Sequence, residues 1–469
     1  MLKQLYDEAA SRLLSFNVKE LEETGFLSLN KQFFPSVHYP PITMYQPISQ
    51  EQLFGGYNLP FDKRFDVYVH IPFCMKYCSY CHYPVIVGDV PEEKDRYLLA
   101  LEKDMDLYLR LLGISKIEPR SILVGGGTPT YLSPEQLRRF LEFLGRRVNL
   151  PASTQFSYDV DPVSLLGPKG ADRLSVLKEY GVHRLTIGVQ SLDNVVLKEM
   201  NRHHNARAAV DAVRRAKAAG FKVNVEFIYG YPGQSVDSWI TTLEQSLQLE
   251  ADEIQIYRLK FIPYGDHNGV IQSNIPGDPG GYFERTMLMK SLAVSILENG
   301  GYFENIRRVF SRTRQDYSHY AHNQCCNLFD QLGFGLTAFS SLRDRFGLNA
   351  LDLADYYRRI DSGRLPLTRG MVRGKADQCS WAFVLPLKNR QVYKKYFFGM
   401  TGMQVEDIFK DKIERLKRFD LLREDPAGVA LTARGGFFAD EVCHQFHQPE
   451  YIPFPKSSYK PGPLSPHNN

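Results

Sequence analysis

Tryptophan is nearly missing from this 469-residue chain, at two residues, and cysteine is sparse, at seven. Four of the cysteines, Cys325, Cys326, Cys379 and Cys443, are scattered without a visible disulfide framework, which argues against a stapled secreted scaffold. Free thiols fit a reducing cytoplasm, the expected location. No run of residues reaches the length of a membrane span. An excess of one charge is also lacking: 57 Lys and Arg against 53 Asp and Glu leave a net charge of +4, which gives no broad electrostatic case for nucleic acid. Residues 1–16 are charged and read as an amphipathic helix, not a signal peptide. At 43% hydrophobic and 13% aromatic the chain can fill a full core, and its length suggests two or three domains.

The three other cysteines stand together in His70-Ile-Pro-Phe-Cys74-Met-Lys-Tyr-Cys78-Ser-Tyr-Cys81. At a spacing of four and then three, thiolates on a short loop can hold three irons of a four-iron, four-sulfur cluster. The fourth iron is then open to a small molecule that receives an electron. A zinc site would call for paired Cys-x-x-Cys units and four ligands, and no second pair lies nearby. The plainer alternative is three buried, inert thiols.

Short β-rich runs alternate with longer amphipathic runs from residue 66 onward. Strands are predicted at 66–71, 121–125, 155–160, 184–189, 222–229 and 253–262, with helices at 92–112, 134–143, 167–180, 206–219 and 236–249. Crossovers of that length make the strands parallel. Six units make an α/β fold with a partial (β/α)6 barrel, and the cysteine loop lies at the carboxyl end of its first strand, where such folds place chemistry. Residues 1–65 form a helical, proline-rich wrapping segment, 66–342 the barrel and its extension, and 343–375 a linker. A small winged-helix-like domain at 376–446 includes helices over 405–419 and 433–446, and 447–469 is an irregular or disordered tail.

Each strand end carries polar or glycine residues. Gly125-Gly-Gly-Thr-Pro-Thr130 permits close backbone approach, and its N–H groups can meet a ligand carboxylate. Ser157-Tyr-Asp-Val-Asp-Pro162 offers Asp159 and Asp161, on one side if the strand persists, with Asp161 also suited to cap the next helix. Gln190 and Arg202 offer a donor–acceptor amide and a carboxylate partner, whereas His203 and His204 read as solvated surface. Glu226, inside an apolar strand, needs a partner, either a ligand or Arg202. The segment Arg258-Leu-Lys-Phe-Ile-Pro-Tyr-Gly-Asp266 adds polar groups to the same mouth.

Together with Gln331-Leu-Gly-Phe-Gly-Leu-Thr-Ala-Phe-Ser340, these motifs resemble the radical S-adenosylmethionine (SAM) superfamily, and within it the oxygen-independent coproporphyrinogen III oxidase group. The resemblance implies that Cys74, Cys78 and Cys81 hold one [4Fe-4S] cluster. It also implies that Tyr68, Gly126 and Asp159 contact SAM, and that Tyr80, Gly127, Thr128, Gln190, Arg202 and Glu226 line a second SAM site. A low-potential electron donor is implied as partner. Tyr83 stands where the oxidases carry a further cysteine, Asp and Glu are exchanged at 159 and 226, and Lys260 replaces a small residue. On those departures the chain looks more like the class C radical SAM methyltransferases. That likeness implies methyl transfer to an sp2 carbon of an aromatic or quinone ring, such as that of menaquinone, with His82, Tyr83 or His70 as base. An apolar substrate of this kind leaves room for peripheral membrane contact. The alternatives are the oxidase itself and a non-catalytic haem-binding relative.

Overall fold

A computed structural model describes residues 2–32, 34–261 and 277–468. Six parallel strands form its centre: β1 (Arg64–Ile71), β2 (Glu118–Gly126), β3 (Gln155–Val160), β4 (Arg184–Gln190), β5 (Lys222–Tyr229) and β6 (Glu253–Arg258), hydrogen-bonded in that order. In β1, Phe65, Val67, Val69 and Ile71 are all buried against the crossover helices, which suits β-branched and aromatic side chains. The outer helices include α2 (Pro91–Leu112), α3 (Pro134–Arg147), α4 (Gly167–Glu179), α5 (Ala206–Ala218) and α6 (Val236–Gln248). Their starts are set locally. Ser133 and Gln136 form a capping box on α3, and Asn205 and Ser235 cap α5 and α6. This is the expected α/β partial barrel.

The sixth strand ends at Arg258, short of the expected 262, and Ile262 and Pro263-Tyr-Gly-Asp266 lie outside the described residues. Beyond β6 the sheet continues into an antiparallel hairpin, β7 (Phe303–Ile306) and β8 (Val309–Ser311). Beyond β1 it continues through β9 (Gln331–Phe334), β10 (Phe339–Leu342), β11 (Arg345–Asn349) and β12 (Leu367–Val372) to the short strand Gln46–Pro47. The expectation that 343–375 is a linker therefore fails. Two sheet strands and the helix Leu353–Asp361 occupy it, and they close over the N-terminal segment through the Gln46↔Gly370 pairing.

Helix α7 (Pro279–Asn299) packs on α1 (Leu2–Ser15), with Arg12 donating to the Ser291 carbonyl at 2.9 Å. The C-terminal unit holds α8 (Lys375–Asn389), α9 (Val405–Arg418) and a small sheet of β13 (Gln391–Tyr393), β14 (Leu422–Glu424) and β15 (Gly428–Leu431). Phe383 sits at its centre, with ring centroids 4.7 Å from Phe409 and 4.4 Å from Phe446. The helix expected over 433–446 is two helices, Ala433–Phe437 and Ala439–His444, broken at Phe438. The tail is an ordered strap: Leu29 donates to the Ser458 carbonyl, and Gln445 holds the Leu464 carbonyl. Among the described residues no helix is long and apolar enough to cross a membrane.

Candidate active site

The cysteine loop leaves β1 and is pinched at its base, where Phe73–Cys74 pairs with Ile86–Val87. Its far side is pinned to the segment after β4. Ser79 N donates to the Met200 carbonyl at 3.1 Å, and Asn201 Nδ2 donates to the Tyr77 carbonyl at 2.6 Å. Ser79 Oγ also lies 2.7 Å from Tyr231 Oη. The three cysteines form no disulfide and are partly buried.

The glycine turn runs beneath this loop. Gly127 N donates to the Ile71 carbonyl and Thr128 N to the Phe73 carbonyl, at 2.9 and 2.7 Å. A Cβ on Gly127 would lie 2.8 Å from Phe73 O, and one on Gly126, at φ 117°, 2.7 Å from the His70 ring. No side chain fits at either position. Thr128 Oγ1 lies 3.6 Å from Cys74 Sγ. Burial foremost, with the neighbouring thiols adding to it, pushes the Cys74 thiol up to about 12 despite the Thr128 hydroxyl. Such a group is a thiolate only when a metal supplies the positive charge.

Three thiols on one short loop are a donor set that fits an iron–sulfur cluster. No group of three or more His, Cys, Asp or Glu among the described residues converges to hold a single metal ion. Cys74, Cys78 and Cys81 would hold such a cluster by one sulfur on each of three irons, which does not require them to meet at one atom.

Arg202 joins the loop to the strand ends. Its Nη1 donates to Cys78 Sγ at 3.2 Å and to Tyr80 Oη at 3.3 Å, and its Nη2 to Asp161 Oδ2 at 2.9 Å and the Gly188 carbonyl at 2.8 Å. Asp161 is the N-cap of Pro162–Leu165, accepting from Val163 N, and it also holds His203 Nε2 at 2.8 Å. The strand has ended at Val160, so Asp161 belongs to this ion pair and Asp159 alone faces the lumen side of Gly125. His203 and His204 are accordingly not solvated surface. His204 is buried, with Nε2 on the Val189 carbonyl at 3.1 Å. Gln190 ends β4 with a φ of 68°, a strained setting for a non-glycine residue.

Glu226 does not pair with Arg202. It accepts from Tyr257 Oη at 3.2 Å, and burial raises its carboxyl above the usual range. Burial, and then the charge of Glu226, pushes Asp159 up to about 8. Below them Arg184 pairs with Glu253 and donates to Thr186 Oγ1. The expected bases separate. His70 is packed behind the glycine turn, with Nδ1 3.0 Å from Tyr68 Oη, and burial takes it down to about 3. Tyr83 is 63% exposed at the rim. His82 lies inside, with Nε2 3.0 Å from the Lys260 carbonyl; a carbonyl only accepts, so Nε2 carries the proton and Nδ1 is a bare, buried lone pair.

The N-terminal segment and the C-terminal domain could be expected to close over a ligand, but no residue order named the side chains that cover this mouth. His38, from the wrapping segment, sits edge-on to Phe339 at 4.8 Å, and Phe339 stacks near Tyr68. Burial, then the charges of Lys388 and Lys260, takes His38 down to about 4. Arg308 lies 5.6 Å from the Tyr257 ring, and Lys388 pairs with Asp440 at 2.7 Å. A charge inside an apolar helix, as at Lys388, was the one available signal.

Residues 68–245 match the Radical SAM superfamily model. Over 410 residues the chain is 26% identical to the oxygen-independent coproporphyrinogen III oxidase of Pseudomonas aeruginosa, covering 82% of this chain and 86% of that one. Over 391 residues it is 26% identical to the heme chaperone HemW of Bacillus subtilis, covering 81% and 98%. The fold matches the solved coproporphyrinogen III oxidase of Escherichia coli with a TM-score of 0.72 at 22% identity, covering 92% and 98%. These relatives overturn the expectation of ring methylation, and the menaquinone substrate and membrane contact go with it. The expectation rested on departures from the oxidase pattern at Tyr83, Asp159, Glu226 and Lys260, of which Tyr83 is 63% exposed at the rim.

Proposed function

Because the chain carries a radical SAM domain and is homologous to the oxygen-independent coproporphyrinogen III oxidases and to HemW, we propose that this radical SAM enzyme oxidises a porphyrinogen-type substrate without oxygen. Its cofactors are one [4Fe-4S] cluster and SAM. Bound together, they supply one-electron chemistry that removes a hydrogen atom from an unactivated C–H bond. Cys74, Cys78 and Cys81 are the proposed ligands. Tyr68, Gly126 and Asp159 face one SAM, and Tyr80, Gly127, Thr128, Gln190, Arg202 and Glu226 a second.

The observation that carries the reading is the placement of the cysteine loop over the ends of six parallel strands, tied to Arg202. The Nε of Arg202 is buried and has no partner among the described residues, which makes it a ready donor to a ligand carboxylate. The cover carries the cations Lys260 and Arg308, which suit a substrate with carboxylates, while Lys388 is already paired with Asp440. His82 Nδ1 is positioned to take a proton inside the mouth. Seven cysteines with no disulfide among them suit a reducing compartment such as the cytoplasm.

Anaerobic reconstitution with SAM, a reductant and coproporphyrinogen III tests the proposal. Release of carbon dioxide together with 5′-deoxyadenosine is expected. Stoichiometric haem uptake without SAM cleavage would overturn it in favour of a chaperone.

A further inference from the structure

Arg202 is tethered more heavily than a ligand-binding arginine requires. One arm, Nη2, is fixed by Asp161 and by the Gly188 carbonyl, at 2.9 and 2.8 Å. Asp161 is itself fixed, by His203 Nε2 at 2.8 Å and by the Val163 amide at 2.9 Å. The side chains of Arg202 and Asp161 are 9% and 5% exposed, so neither can relax toward water. This leaves Nη1 aimed at Cys78 Sγ, 3.2 Å away. Thr128 Oγ1 approaches Cys74 Sγ from the glycine turn at 3.6 Å, while its own amide is locked on the Phe73 carbonyl.

We propose that Arg202, with Thr128 in a lesser part, is a positioning residue that sets the reduction potential of the cluster by donating hydrogen bonds to two of its three thiolates. The proposal rests on Cys74, Cys78 and Cys81 being the ligands. One electron passes from a low-potential donor to the cluster, the donor being oxidised and the cluster reduced. The added negative charge spreads onto the sulfurs. An N–H held 3.2 Å from one of them stabilises the reduced form more than the oxidised form, so the potential rises. The Asp161 carboxylate offsets much of the long-range effect of the guanidinium charge. The directed N–H bond therefore carries most of the effect, and the relay from His203 through Asp161 keeps that bond in place.

The test is an EPR-monitored redox titration of the anaerobically reconstituted full chain without SAM, so that ligand binding does not enter. Iron and sulfide content are checked first. Arg202→Gln should lower the midpoint so that, at the wild-type midpoint, the ratio of reduced to oxidised cluster falls about tenfold, equal to about 59 mV for one electron. Arg202→Lys keeps the charge but cannot reach Asp161, Gly188 and Cys78 at once, and should fall between. Thr128→Val should shift the midpoint the same way by less, and Thr128→Ser should restore it. Should Arg202→Gln fail to hold the cluster, Arg202→Lys and Thr128→Val decide. Midpoints equal to wild type in these variants overturn the proposal alone. A wild-type chain that assembles no four-iron cluster overturns the ligand assignment and the proposal with it.

Discussion

The lumen of the barrel and the core of the C-terminal unit are built on opposite rules. In the lumen, Asp159, Arg184, Glu226, Glu253 and Tyr257 bring charges and hydroxyls into a mostly desolvated space. In the C-terminal unit, Phe383, Phe409, Phe446, Val392 and Leu416 belong to one apolar cluster, and the buried charge of Lys388 is matched by Asp440. A buried charge is held at a cost, and a buried phenyl ring gives stability back. Chemistry and stability are thus drawn from different parts of one chain, and substitutions should affect them separately.

The largest effect expected is that of Cys74→Ala. It should abolish the visible cluster absorption and all turnover while far-UV circular dichroism stays that of the wild type. Retained absorption and turnover would break the comparison at its functional end. Phe383→Ala should do the reverse, lowering unfolding free energy by about 3–5 kcal/mol in a denaturant titration. Its surviving folded fraction should still take up iron and sulfide at the wild-type ratio.

Asp159→Asn sharpens the contrast through pH. The folded carboxyl is raised from an ordinary value of 3.8 to about 8, so the folded state binds the proton more tightly than the unfolded state does. The stability this group contributes is full below 3.8 and is lost as pH rises to about 8, with a slope of at most about 1.4 kcal/mol per pH unit. Thermal melts from pH 5 to 8 should show a shallower decline in the Asn variant, and identical declines would remove Asp159 from the account. The smallest change expected is that of Tyr257→Phe. Losing the hydroxyl to Glu226 should lower stability by about 1 kcal/mol in the same melts.

What could be read from residue order alone follows the same division. The six central strands and their helices were legible because apolar β-branched runs alternate with capped amphipathic ones, as at Val67 to Ile71 and Ser133 to Gln136. Strands β11 and β12 were not, because Arg345–Asn349 and Leu367–Val372 gain their meaning from pairing with each other and with Gln46–Pro47, over 300 residues away in sequence. In the site, the cysteines and glycines announced themselves by spacing. The partner of Arg202 did not: Glu226 was the carboxylate expected, and only the end of β3 at Val160 turns Asp161 toward the guanidinium instead. His38, Arg308 and Lys388 reach the mouth from three distant segments, and no local pattern joins them. The choice between methylation and oxidation hung on departures at Tyr83, Asp159, Glu226 and Lys260, residue types that do not by themselves specify a reaction.

The N-terminal segment is buckled to the far end of the chain. Ser36 N donates to Asp440, Tyr39 accepts from Gln448 N, and Arg434 pairs with Glu20. During synthesis the contacts of Glu20, Ser36 and Tyr39 with this end must therefore wait, for on the order of tens of seconds, until residues beyond 430 emerge from the ribosome. The barrel's own strands are complete long before that. The order of manufacture thus fastens this buckle last, after the strands that carry the cysteine loop and the glycine turn have all left the ribosome.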